Sequence, residues 1–71
     1  MRLSLERAHL AEAERHIALG EKHIARQLEI IGNLKRAGHP TALAIDLLAT
    51  YRLLLATHIA HRDLILHELE R

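Results

Sequence analysis

Apolar residues return at every seventh position through the first third of the chain. Leu3, Leu10, Ile17, Ile24 and Ile31 form one column. Ser4, Ala11, Ala18, Ala25 and Gly32 form a column of small residues beside it, and Arg2, His9, His16, His23 and Ile30 a third. Three residue classes keeping one spacing predict a helix packed lengthwise on other helices, because only then does the same stripe keep facing its neighbour. Ala13, Gly20, Gln27 and Leu34, three residues further along each heptad, complete the seam. The pattern predicts helix one over residues 3–37. Gly20 and Gly32 each cost about 1 kcal/mol of helix propensity relative to alanine, which points to close approach of a neighbouring backbone, or to a kink.

The periodicity breaks at Ala37-Gly38-His39-Pro40-Thr41. Gly38 after Lys35 and Arg36 reads as a helix C-terminus, with a glycine free to turn left-handed and cations facing the negative end of the dipole. Pro40 suits the first turn of a new helix and cannot continue the old one. A turn at residues 38–40 is short, so helix two, over 40–70, folds back antiparallel.

Helix two carries two apolar seams. Ala44, Leu47, Tyr51, Leu54, His58, His61 and Ile65 line the first; Ile45, Leu48, Leu55, Ile59, Leu66 and Leu69 line the second, interrupted by Arg52 and Arg62. One partner helix covers only one of them. The expected fold is therefore an all-α antiparallel hairpin in a single domain. A second copy then covers Ile45, Leu48, Leu55, Ile59 and Leu66, closing a four-helix bundle; a dimer is the simplest closure and a tetramer the alternative.

Composition sharpens this picture. A chain of 71 residues lies where one core is marginal without disulfides, metal or self-association. With no cysteine, disulfides and thiolate metal sites are excluded, and a reducing cytoplasm fits. A formal charge of +1 with no basic block, and Tyr51 as the one aromatic residue, argue against a nucleic-acid partner. The first residues, Met1 to Arg7, lack the apolar run of a secretion signal. Leu43 to Ala60 is strongly apolar, but Asp46 and Arg52 fall in mid-run and argue against a membrane span.

Seven histidines are the one strong hint of chemistry. His39 lies in the turn, and the other six fall in the half of the hairpin away from it. With the turn centred near His39, His16 comes level with Arg62 and His61, and His23 with Leu55, a turn from His58. His58 and His61, spaced i, i+3, can bring two imidazoles to one metal ion, and His16 could add a third. Glu12 or Glu68 would supply a carboxylate or orient a ligand. Zinc, another transition metal or haem would suit such a set. The competing expectation is that the rings pack along the helix interfaces and hydrogen-bond Glu12, Glu14, Glu21, Asp63 or Glu68, with no cofactor. Nothing supports catalysis: Ser4 has no base arranged for it, and no phosphate loop or paired-carboxylate cleft is present.

Glu14-Arg15-His16-Ile17-Ala18, the turn Gly38-His39-Pro40-Thr41-Ala42, Leu47-Leu48-Ala49-Thr50-Tyr51 and Ala60-His61-Arg62-Asp63 together resemble short His/Ala-rich helical-hairpin proteins of soil alphaproteobacteria. The resemblance spans nearly the whole chain. It implies a cytosolic bacterial protein of the same plan and carries over no site residue. Taken together, the sequence predicts a non-enzymatic interaction or scaffold module whose partner is itself, or another protein. The alternative is a metal- or haem-binding bundle.

Overall fold

The computed structural model describes residues 2–71; the side chain of Arg2, first member of the histidine column, lies outside the description. Two helices make up the fold, α1 over Arg2–Arg36 and α2 over Ala42–Leu69. They pack side by side as a rod of 55 × 14 × 13 Å, and the long axis is close to the roughly 52 Å that 35 residues of helix span. α1 runs as unbroken helix through both Gly20 and Gly32.

The turn is built on one glycine. Gly38 has φ 74°, its N–H donates to the carbonyl of Lys35 at 3.1 Å, and the N–H of His39 donates to the carbonyl of Leu34 at 2.9 Å. This pair of bonds is a Schellman motif, which satisfies carbonyls that the helix end would otherwise leave open. Lys35 and Arg36 occupy the last turn of α1, as the dipole favours. Pro40, however, does not open the second helix. It stands before Thr41, the N-cap residue, whose side chain makes no capping bond, although its carbonyl accepts the Ile45 N–H at 2.9 Å.

The helices meet along one seam. On α1 the least exposed positions step by three and four through Leu10, Ala13, Ile17, Gly20, Ile24, Gln27, Ile31 and Leu34. On α2 they run through Ala44, Leu48, Tyr51, Leu55, His58, Arg62, Ile65 and Leu69. The seam of α2 thus lies between the two stripes expected from sequence, drawing residues from each. Leu48, 7% exposed, and the half-buried Leu55, packed over Gly20, contact α1 within the hairpin. Of the expected outer stripe, Ile45 stays exposed while Ile59 and Leu66 are half-buried.

Only Ala13, Ile17, Ile31 and Leu48 are buried apolar residues among those described, and no side chain is wholly enclosed. The one buried polar residue, Gln27, donates from Nε2 to the carbonyl of Ala44 at 2.9 Å. Gly20 and Gly32 differ in environment. A Cβ on Gly20 would lie 3.3 Å from Leu55 Cδ1, a close approach across the seam, whereas one on Gly32 would meet only the guanidinium of Arg36 on the same helix. Close packing accounts for the first glycine alone.

Candidate functional site

Midway along the rod, beside the seam, a cleft of about 250 Å³ opens between the helices. Its floor is at Gly20, where the missing side chain lets the facing side chain approach. Its walls are Leu19 and Leu54, and His16, His23, Tyr51 and His58 place their rings around it. The rings pair across the hairpin. His16 and His58 have centroids 5.1 Å apart at an interplanar angle of 52°; His23 and Tyr51 have centroids 5.4 Å apart at 39°.

This register differs from the expected one by about a helical turn. His16 faces His58 instead of lying level with His61 and Arg62, and His23 faces Tyr51 instead of Leu55. The physical reason lies in the turn. Both ring pairs centre the reversal on Ala37, beside the Schellman motif, instead of on His39. Each α2 residue therefore faces an α1 position about four residues nearer the N-terminus than a turn centred on His39 would give.

Of the three candidate metal ligands, the fold brings His16 and His58 together. His61 is exposed and does not line the cleft. Among the described residues no group of three His, Asp or Glu side chains is placed to hold one metal ion. Glu12 Oε1 stands 3.9 Å from His16 Nε2, too long for a hydrogen bond but close enough to set a negative charge beside the ring pair. Glu68 is drawn instead to Arg71, at 3.4 Å.

A second feature continues outward from the cleft over α2. Leu43, Leu47, Thr50, Leu54, Thr57, His61 and Leu64 are all exposed and follow one another in steps of four and three. Leu43 is 85% exposed and Leu64 60%. The two hydroxyls on this stripe are turned back onto their own helix, Thr50 Oγ1 donating to the Asp46 carbonyl at 3.4 Å and Thr57 Oγ1 to the Leu53 carbonyl at 3.0 Å. No residue of the stripe is Lys, Arg, Asp or Glu. It is a heptad seam without a partner in the single chain, and the alternation of Leu43, Leu47, Leu54 and Leu64 was its signal in the sequence, obscured because Leu47 and Leu54 also fit a stripe with Tyr51 and His58.

By length and composition α2 could also cross a membrane. Its most apolar stretch has a mean hydropathy of 1.4, and little of that stretch is buried by the rest of the hairpin. Compared with protein-family models, curated proteins and solved structures, the chain matches none.

Proposed function

We propose that this chain is a non-enzymatic helical interaction or scaffold module of the cytoplasm that works as a homo-oligomer. The observation that carries this reading is unburied surface. A compact monomer of 8.1 kDa has an accessible surface of about 4,500 Å², whereas the hairpin exposes 5535 Å². The excess, roughly 1,000 Å², is close to the ~800 Å² that each partner contributes to an ordinary protein–protein interface. Only four apolar residues among those described are buried, a small core to set against the cost of ordering two long helices, about 1–2 kcal/mol per residue for the backbone alone. A second hairpin supplies what is missing.

Sedimentation equilibrium of the metal-free chain at micromolar concentration tests this. At least twice the monomer mass is expected. A monomer that melts cooperatively would overturn the reading.

A transition-metal site is the second reading, and the His16–His58 pair favours it. Two imidazoles on one tetrahedral zinc, each nitrogen about 2.0–2.1 Å from the metal, hold their ring centres about 5 Å apart. The observed spacing is 5.1 Å. One chain supplies two rings, so water, Glu12 or a second chain would complete the shell. Zn²⁺ should then raise the melting temperature of the wild-type chain and leave that of His58→Ala unchanged. An equal response from both would remove the reading.

A further inference from the structure

We infer that two copies of this chain join as a two-fold four-helix bundle whose axis passes through the cleft at the level of Leu19 and Leu54, with α2 antiparallel to α2 of the second copy. This rests on the proposed self-association and goes further by naming the face and the arrangement.

Three observations converge on it. The first is the symmetry of the outer stripe of α2. A two-fold contact requires a surface complementary to itself. Counted outward from Leu54, the stripe meets Thr50 on one side and Thr57 on the other, then Leu47 and His61, then Leu43 and Leu64. Reversed, it sets threonine against threonine and leucine against leucine at the ends, with His61 opposite Leu47. Its threonine hydroxyls are already bonded within the helix, so burial leaves them no unmet partner.

The second is charge on α1. Leu19 lines the same cleft as Leu54, and Glu12 and Arg26 lie seven residues before and after it. An antiparallel copy related through Leu19 brings Glu12 of each chain to Arg26 of the other. Among the described residues of the single chain Arg26 bonds its exposed neighbour Glu29, at 3.1 Å. The same operation sets His16 near His23 of the second copy. Two helices thus give the same axis independently.

The third is angle. The hairpin seam and the outer stripe are displaced by about 100° around α2. That is close to the right angle between neighbours at one corner of a four-helix bundle, where each helix touches two others. The opposite flank of the hairpin is less suited, because Glu14, Glu21, Lys35 and Arg52 are exposed there.

Single cysteines test the arrangement cleanly, because the chain has none of its own. Leu54→Cys, next to the axis, should join to its mate through a disulfide or a short bifunctional reagent. Leu43→Cys alone should not, since an antiparallel mate lies roughly 33 Å away at 1.5 Å per residue. Mixed Leu43→Cys and Leu64→Cys chains should cross-link to each other. Glu12→Arg should weaken the dimer about two- to thirtyfold, because each dimer loses two exposed ion pairs, and Arg26→Glu in the same chain should restore it. Self-linking of Leu43→Cys would mean a parallel pair, and linking of Arg52→Cys in place of Leu54→Cys would mean the opposite flank; either overturns this arrangement while leaving self-association intact. A chain that stays monomeric and floats with zwitterionic lipid vesicles would assign the stripe to a bilayer and overturn both.

Discussion

The side-chain amide of Gln27 donates to the backbone carbonyl of Ala44, 2.9 Å away, in the first turn of α2. This is the one hydrogen bond between the two helices among the described residues, and it is made by a residue only 5% exposed. Apolar seams fix register weakly, because sliding by a heptad costs little when every layer is alike. A single buried polar group fixes it strongly, because a slip strands the group without a partner. Gln27→Leu should therefore leave stability within about 1 kcal/mol of wild type while loosening register, seen as extra or broadened amide resonances. Gln27→Ala loses both the bond and its packing and should cost about 1–3 kcal/mol in denaturant unfolding. A single sharp set of resonances from Gln27→Leu would show that the bond does not hold register.

The two glycines of α1 should respond differently to substitution. At Gly32 an added methyl meets only a flexible Arg36 guanidinium, so Gly32→Ala should gain about 1 kcal/mol of helix propensity, raising the melting temperature by roughly 4–8 °C. At Gly20 the methyl comes 3.3 Å from a terminal methyl of Leu55. That group can shift by a few tenths of an ångström, so Gly20→Ala should stabilise by less than Gly32→Ala. Gly20→Val adds branched bulk over Leu55 and should destabilise by about 1–3 kcal/mol. Thermal melts of the three variants at one concentration decide the order.

The heptad columns of α1 were legible in the sequence because only one face of that helix is strongly apolar. Ile17, Ala13, Gln27 and Ile31 are its most buried positions, and all four stand in the two columns that the spacing marks. α2 was harder to read for the opposite reason. Leucines surround it, so periodicity admits several stripes, and contact with α1 alone selects one that includes His58 and Arg62 and leaves Leu54 outside. The histidine pairing was half legible. The sequence set six rings apart from the one in the turn, but the structure gathers His16, His23 and His58 midway along the rod, and which ring meets which depends on the path of the turn. Gly38 announced a helix end without announcing that the reversal would centre two residues before His39. The bond from Gln27 to Ala44 had no sequence signal beyond a polar residue in an apolar column.

Gly38 is where the turn is most sensitive. Its φ of 74° lies in the left-handed region, which costs residues bearing a Cβ about 1–2 kcal/mol. No neighbour lies within 4 Å of a Cβ placed there, so the backbone conformation alone sets the penalty. Gly38→Ala should lower stability by about 1 kcal/mol, and Gly38→Asn by less, since asparagine tolerates this region better. Equal losses from both would point to a steric cause instead. His39→Ala, which keeps the backbone bond from residue 39 to Leu34, should have no measurable effect on unfolding.

The two arginines of α2 provide a last contrast. Arg62 follows Leu48 and Leu55 in the column facing α1 and precedes Leu69; its guanidinium reaches sideways to Asp63, with Nε 3.0 Å from Oδ1. Its side chain is 34% exposed, so the stem lies in the seam while the charge snorkels out. The ion pair joins sequence neighbours at the surface and contributes little, about 0–1 kcal/mol. A leucine would continue the apolar column and could be buried without keeping a charge near solvent. Arg62→Leu should therefore stabilise the hairpin by about 1 kcal/mol, the scale for burying a methylene or two. Arg52 is exposed on the flank away from the cleft, so Arg52→Leu should leave the hairpin's unfolding free energy unchanged within about 0.5 kcal/mol. Denaturant titrations of both variants at several chain concentrations check this. If Arg62→Leu destabilises instead, the guanidinium has a partner across the seam, and the charge itself holds the open end of the hairpin together.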